Sequence, residues 1–332
     1  MNSYLKSLSH LKVKKHRSGP VALDLFAGCG GLALGFESAG IRTIGYECDA
    51  KAVRTYNHNL AGECHEVFLT PETELPKADI IIGGPPCQPF SVGGRQLGLA
   101  DARDGFPAFI SAVERIQPQL FLIENVRGML YRNKSYLHEV IAALKALKYE
   151  VSVKLVNAMN YGVPQNRERV IIVGHKGGFR FPEPLETTFT AGDAVADIAF
   201  DVFEDTKFLN KSQDTYIAKY EKASKCINPR DLHMGRPART LTCRNLAGAT
   251  GDMHRIRLPD GRRKRMTLRE AARLQSFPDW FEFQGDEQST FYQVGNAVPP
   301  MLARHLALSV IRYLNGEVIP EPEKGQLELH LK

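Results

Sequence analysis

Apolar and polar positions alternate along the first 170 residues in two rhythms. Short continuous apolar runs, "VALDLFAG" (21–28), "RTIGYE" (42–47), "ADIIIGG" (78–84), "QLFLIEN" (119–125), "VSVKLVNA" (151–158) and "RVIIVGH" (169–175), read as strands buried on both faces. Between them lie stretches whose apolar residues recur every three or four positions. These are "LALGFESAG" (32–40), "DAKAVRTYNHNL" (49–60), "FPAFISAVERI" (106–116) and "SYLHEVIAALKALKYE" (135–150), and they read as helices. Repeated strand–helix alternation predicts an α/β fold with a doubly wound, mostly parallel sheet and helices on both faces. After Lys176 the rhythm stops. Residues 179–265 are richer in polar residues, Pro and Gly and predict a smaller, irregular lobe. Periodicity returns in "TLREAARLQSFPDWF" (267–281), a predicted helix. A predicted loop, "QVGNAVPP" (293–300), and an apolar helix, "MLARHLALSVIRYL" (301–314), follow. The expected organisation is therefore residues 1–178 as one domain, 179–265 as an inserted lobe, and 266–332 as a return that completes the first domain.

Composition narrows the class. The 332 residues are 43% hydrophobic and 24% charged, the balance of a globular protein with a substantial core. No apolar run reaches the 18 residues of a membrane span, and the basic N-terminus lacks the apolar stretch of a signal peptide, so a cytoplasmic location is expected. The six cysteines form no C-x-x-C pair and have no histidines at zinc-like spacing, so neither a metal site nor a disulfide framework is expected. The net charge of +6 is unevenly spread. Residues 228–273 hold twelve Lys or Arg against four Asp or Glu, and the first twenty residues hold five bases and no acid. A dense basic region on a near-neutral body points to a polyanion partner, most simply nucleic acid. About twenty residues precede the first strand, too few for an added regulatory module.

Candidate chemistry gathers where strands end. "DLFAGCGGLALGF" joins the first strand to the first helix, and its glycines allow a ligand to approach the backbone and a helix N-terminus. Glu47 closes the next strand, nineteen residues after Gly28, where an acid suits ribose hydroxyls. NAD, FAD and S-adenosylmethionine fit this pattern equally. Cys87, in "ADIIIGGPPCQPFS", and Glu124 each follow a strand, so the topology brings both to the sheet edge that the glycine turn shares. A thiolate adds to carbon 6 of a pyrimidine and makes carbon 5 nucleophilic, and a nearby acid stabilises the charge that develops. Arg167 and Arg169 in "QNRERV" stand at alternate positions, point the same way if extended, and would favour a thiolate.

Taken together, "DLFAGCGG", "GGPPCQPFS", "ENV" (124–126), "QNRERV", "REAARLQSFPD" (269–279) and "GNAVPP" (295–300) resemble, in order, the motifs of the bacterial DNA (cytosine-5) methyltransferases. The resemblance spans nearly the whole chain. It implies a Rossmann-like catalytic domain, S-adenosylmethionine as cofactor, duplex DNA as partner, a monomer, and a cognate restriction endonuclease acting separately. Cys87 would attack carbon 6 of a flipped cytosine, Glu124 would contact nitrogen 3, and Arg167 and Arg169 would hold the nucleotide and the thiolate. Phe26 would stack near the cofactor adenine and Glu47 would bind its ribose. Gly28, Gly30, Gly31, Cys48, Pro85, Asn296 and Val298 would line the same site. Glu66 stands near the place of the family's adenine-binding aspartate, although no Asp-Ile pair occurs there.

The resemblance also makes the glycine-rich "SVGGRQLGLADARDGF" (91–106) a loop that closes over substrate, with Ser91 and Arg95 as DNA contacts. It makes the inserted lobe the DNA reader, with Arg236, Arg239, Thr240 and Arg244 as candidate contacts around "RTLT" (239–242). Other readings are an RNA-directed relative acting on tRNA cytosine, a non-catalytic DNA-binding relative and a nicotinamide dehydrogenase. The first shares the active site. The second would show a damaged motif, whereas Cys87, Glu124, Arg167 and Arg169 are all present. The third leaves "PPCQ" without a role.

Overall fold

A computed structural model describes residues 3–13, 18–86, 104–223, 230–248 and 252–317. The elements up to the end of the large sheet are α1 (Ser3–Ser7), β1 (Val21–Leu25), α2 (Gly31–Ser38), β2 (Arg42–Glu47), α3 (Ala50–Asn59), β3 (Cys64–Glu66), β4 (Ile80–Gly83), α4 (Phe106–Ile116), β5 (Leu120–Val126), α5 (Lys134–Ala146), β6 (Glu150–Asn157) and β7 (Glu168–His175). They are followed by α6 (Ala191–Val195), α7 (Lys211–Ala223), α8 (Cys243–Ala247), β8 (Arg255–Arg257), β9 (Arg263–Arg265), α9 (Leu268–Leu274), α10 (Glu287–Asn296) and α11 (Pro300–Leu314).

The large sheet has the order β3-β2-β1-β4-β5-β7-β6. Its pairings are parallel from β3 to β5, and β7 runs antiparallel to both β5 and β6. The expected α/β class and mostly parallel sheet are therefore found. Period-two alternation sorts its side chains into two cores. Ile80, Ile82, Leu120, Leu122, Ile171 and Val173 face a core shared with Leu32 and Phe36 of α2 and Leu302 and Leu306 of α11. Ile81, Phe121, Ile123, Val170 and Ile172 face the other, with Phe106 and Phe109 of α4 and Leu137 and Val140 of α5. The first face receives the returning chain: a Cβ on Gly35 of α2 would lie 2.4 Å from the Ala303 Cβ of α11, so only glycine allows this contact.

Two boundaries in the returning chain differ from the sequence expectation. The helix predicted over 267–281 stops at Leu274, because Ser276 takes a positive φ of 67° and Phe277 and Phe281 turn into the core. The loop predicted at 293–300 is helical through Asn296, capped at its start by the Asp286 carboxylate accepting from the Ser289 N–H. In both places burial of aromatic and apolar side chains outweighs the local pattern.

Residues 179–265 carry no part of the large sheet. They contain the short β8–β9 ribbon and small helices. Buried ion pairs organise this lobe. Arg255, fully buried, donates to Asp231 (2.5 Å) and Glu221 (2.9 Å), and Arg263 donates to Asp231 (3.0 Å) and Asp214 (2.9 Å).

Candidate active site

The carboxyl edge of the sheet gathers four chain segments. The first is the glycine turn after β1. Phe26 there has φ +61° and stays half-exposed. Gly28 has φ +54°, and a Cβ on it would meet nothing within 4 Å, so the turn opens onto free space. Glu47, at the end of β2, accepts the Gly28 N–H on Oε2 (2.9 Å) and the Cys48 and Asp49 N–H groups on Oε1 (2.8 and 2.9 Å). Cys48 is exposed beside it, and its thiol is pushed up to about 11 by desolvation and by the Glu47 charge. Glu66 is exposed in β3, in direct register with Glu47. Asp24 is buried on β1 between Gly45 and Ile82, and its burial, reinforced by the Glu47 charge, raises its pKa well above the usual carboxylate range.

Gly30 and Gly31 play a different part from Gly28. A Cβ on Gly30 would strike Leu60 and Tyr56 at 2.6 and 2.8 Å, and one on Gly31 would strike the Val298 carbonyl at 2.4 Å. Both glycines permit close packing under the turn. The contact of Gly31 with Val298 also brings the "GNAVPP" segment to the cofactor edge. Asn296 is exposed at the end of α10 in the same segment.

The second segment follows β4. Pro85 is buried, and its carbonyl accepts from Asn125 Nδ2 (2.9 Å). The Pro86 carbonyl accepts from Gly105 N–H (3.0 Å). Gly105 lies against both the Pro86 ring and the Phe26 ring, where a Cβ would be 2.5 and 2.8 Å away. The chain leading to position 87 is thus fixed between the glycine turn and β5. Cys87, Ser91 and Arg95 lie outside the described residues, as does the loop expected to close over substrate up to residue 103.

The third and fourth segments are the end of β5 and the start of β7. Glu124 is buried on the face of β5 that looks toward α2 and α11, and its Oε1 pairs with Arg169 Nε at 2.7 Å, each side chain being 11% exposed. Its Oε2 points the other way, 3.5 Å from where a Gly84 Cβ would stand, toward the segment that runs into Cys87. One carboxylate oxygen is therefore oriented by a guanidinium, and the other faces Gly84, in the segment that leads to Cys87.

Arg167 stands close enough to feel the charges of Arg169 and Glu124, but its terminal nitrogens bind main chain. It is 1% exposed, and its guanidinium donates to the carbonyls of Leu241 (2.6 Å), Gly295 (3.1 Å) and Ala297 (3.1 Å). Burial, followed by the like charge of Arg169, lowers its pKa well below the ordinary arginine value. The two arginines share a face as expected; the terminal nitrogens of Arg167 are committed to main chain, while its buried Nε has no partner among the described residues. Its role is a staple between the inserted lobe and the "GNAVPP" corner.

Two glutamines missed by the sequence reading complete that staple. Gln165 and Gln275 are fully buried and hydrogen-bonded to each other at 2.5 Å. Gln165 Oε1 accepts from Leu241 N–H (2.9 Å), and Gln275 Nε2 donates to the Ala297 carbonyl (2.6 Å). Gln165 belongs to "QNRERV" and Gln275 to "REAARLQSFPD", so their motif membership was visible. That they are partners was not, since 110 residues separate them.

The candidate DNA contacts divide. Arg236 and Arg244 are exposed. Arg239 is bound to Asp252 through its side chain and carbonyl, both at 3.1 Å, and Thr240 donates to the Asn166 carbonyl (2.7 Å). Thr240 thus ties its segment to "QNRERV", whereas Arg239 is tied to Asp252 within the lobe. Among the described residues there is no cluster of side chains able to hold a metal, and no helix long and apolar enough to cross a membrane.

This arrangement of glycine turn, Pro-Pro segment and paired carboxylate matches a known family. Residues 21–312 fit the family model of the C-5 cytosine-specific DNA methylases. The chain is 56% identical over 293 residues to the Type II methyltransferase M.AplI of Arthrospira platensis, covering 87% of this chain and 85% of that one. It is 33% identical over 329 residues to the Type II methyltransferase M1.HphI of Haemophilus parahaemolyticus, covering 89% and 87%. Solved structures of a Spodoptera frugiperda DNMT2 variant (TM-score 0.69, 17% identity, 88% of this chain and 100% of that one) and of the Entamoeba histolytica methyltransferase EhMeth (TM-score 0.69, 15% identity, 92% and 100%) share the fold. The chain belongs to the C-5 cytosine-specific DNA methylases and is a DNA cytosine-5 methyltransferase.

Proposed function

We propose that this enzyme transfers a methyl group from S-adenosylmethionine to carbon 5 of a cytosine in a specific duplex sequence, through transient addition of Cys87 to carbon 6. The observation that carries the reading is the Glu124 carboxylate, held by Arg169 on one oxygen and facing the Cys87-bearing segment with the other. The open turn at Gly28, flanked by Phe26 and Glu47, suits a cofactor with an adenine ring and ribose hydroxyls. Glu47 and the turn would hold the ribose, Phe26 would flank the adenine, and Asn296 and Val298 would border the amino-acid end. When bound there, S-adenosylmethionine supplies a sulfonium methyl.

The protein's own residues do the rest. The target base is flipped out of the duplex to reach the edge, because its ring is inaccessible within the stack. The Cys87 thiolate forms a bond to carbon 6, and the electron pair displaced from the 5,6 double bond is drawn toward nitrogen 3. A proton reaches nitrogen 3 by way of the Glu124 oxygen that faces the base. After carbon 5 is methylated, water takes its proton, the freed electron pair re-forms the 5,6 double bond as the carbon 6–sulfur bond breaks to release the thiolate, and nitrogen 3 returns its proton by way of Glu124. Arg169 keeps the Glu124 carboxyl in one orientation throughout. Arg167, Gln165 and Gln275 fix the inserted lobe, which reads the sequence, in register with the pocket.

The relatives' designation as Type II methyltransferases supports a place in a restriction-modification system; an endonuclease acting separately and a monomeric, cytoplasmic enzyme are part of the same proposal. A tritiated-methyl transfer assay comparing duplex DNA with tRNA tests the reading. Transfer to DNA, lost in Cys87→Ser with DNA binding retained, is expected. Transfer to tRNA alone, or retained turnover in the Ser variant, overturns it.

A further inference from the structure

Immediately beyond Glu124 the chain makes a surface that the reaction as described does not use. Val126 is two residues along β5 and so lies on the same face of the sheet as Glu124, but at the rim, where it is 51% exposed. A single 3-10 turn, Arg127–Leu130, follows. The Gly128 carbonyl then accepts from the N–H groups of Tyr131 (3.2 Å), Arg132 (3.1 Å) and Asn133 (3.4 Å), so the corner is rigid. Below it Met129 and Leu130 are buried and anchor it to the core. Above it Tyr131 is 59% exposed, with the Arg127 guanidinium stacked 5.0 Å from its ring centroid. Arg127 also pairs with Glu168, the residue between Arg167 and Arg169 (2.5 Å). Arg132 and Lys134 are exposed, and residues 126–135 contain three bases and no acid.

A valine and a tyrosine left exposed on an anchored turn, framed by cations, do not serve packing. Their position next to the buried Glu124 gives them continuity with the pocket. Their charge suits a phosphodiester strand, and their exposed apolar faces suit the sugar between two phosphates. We infer that the rim Val126–Arg127–Tyr131–Arg132–Lys134 is a docking surface for the DNA strand that flanks the flipped cytosine. Arg132 and Lys134 contact its phosphates, and Tyr131, held in place by Arg127, packs against the adjoining deoxyribose. Glu168 pairs with Arg127 and keeps that guanidinium over the tyrosine ring. The inference rests on the proposed methylation of duplex DNA. It adds a contact surface on the catalytic domain, separate from the inserted lobe that reads sequence. Contacts from this rim are made to the backbone, so they carry affinity without base preference.

The test uses the full-length enzyme and two duplexes, one containing its methylation site and one without it, with fluorescence anisotropy at several salt concentrations alongside methyl-transfer kinetics. Arg132→Ala and Lys134→Ala are expected each to lower the slope of log affinity against log salt by about 1, equally on both duplexes. Tyr131→Ala is expected to raise the KM for DNA about tenfold, with kcat and the KM for the cofactor unchanged within about twofold. Unchanged salt slopes in both basic variants overturn the proposal, as does a Tyr131→Ala enzyme that loses kcat at constant KM. Because anisotropy needs no turnover, a wild-type protein that bound DNA with these slopes but transferred no methyl group would refute the methylation reading and leave the rim standing. Circular dichroism and thermal melting of Tyr131→Phe, expected to match wild type in KM as well as in stability, separate loss of the ring from misfolding.

Discussion

The cofactor-and-acid edge and the inserted lobe both carry charged residues at high density, but they use them in opposite ways. At the edge, Glu47 and Glu124 sit at strand ends. The space beside Gly28 lies open next to Glu47, and the second oxygen of Glu124 faces Gly84, in the segment that leads to Cys87. In the lobe, the arginines that make residues 228–273 so basic are largely consumed. Arg255 and Arg263 pair with Asp231, Asp214 and Glu221. Arg239 pairs with Asp252, and Lys264 pairs with Glu270 at 2.8 Å in full burial. Arg273 is held by Asp197 and Asp279, both at 2.7 Å. Several of the acids come from 197–221, outside the basic window, and fold back onto it. A basic stretch of sequence is therefore not a basic surface. Here much of it is spent on ion pairs inside the lobe, alongside the buried Leu209, Ile217 and Met253, and Arg236 and Arg244 are exposed.

Substitutions in the two regions should separate cleanly. Glu124→Gln is expected to lower kcat by about 10²–10⁴-fold while leaving the melting temperature nearly unchanged, measured by single-turnover methyl transfer and calorimetry. Arg255→Ala should do the reverse. It leaves Glu221 without its cation and Asp231 with Arg263 alone, and should cost about 3 kcal/mol in denaturant unfolding, with no change in the salt slope of DNA binding. Arg244→Ala should leave stability within about 0.5 kcal/mol and lower that slope by about 1.

The lobe should also be the more acid-sensitive part. His254 is buried among Arg239, Arg255 and Arg230, and desolvation followed by these charges lowers its pKa to about 3. Its neutral form is the folded form. Stability from this residue is therefore complete above the unfolded value of about 6.5 and falls as pH drops toward 3, by about 2 kcal/mol at pH 5. Urea titrations at pH 7 and pH 5 should show that loss in wild type and a smaller one in His254→Leu. A modest effect on stability should come from Gly28→Ala. No atom stands in the way of the methyl, so only the positive φ costs stability, about 1 kcal/mol, whereas the KM of the cofactor rises because the methyl enters the open space.

What the sequence revealed divides along the same line. Strand ends are short, local and marked by residues with one chemical purpose, so Glu124, Glu47 and Gly28 could be placed on a common edge from β-α alternation alone. The sheet class followed from the same rhythm. Arg167 was located on the correct face, but its partners, Leu241, Gly295 and Ala297, are 74–130 residues away, and no local pattern announces main-chain carbonyls as ligands. The Gln165–Gln275 bond was hidden for the same reason. Gly30 and Gly31 read like cofactor glycines because turn geometry and close packing select the same residue. In the lobe, ion pairing is decided by tertiary contacts between distant windows, and charge counting within one window could not see it.

The central claim is that Cys87, beside the Arg169-held carboxyl of Glu124, bonds to carbon 6 of a flipped cytosine. Duplex DNA carrying 5-fluorocytosine at the methylated position, incubated with enzyme and S-adenosylmethionine and analysed by mass spectrometry, tests it directly. The account predicts a stable one-to-one protein–DNA adduct whose peptide map places the link on Cys87. Methylation of the unsubstituted duplex with no adduct on the fluorinated one, or an adduct on any other residue, would contradict it.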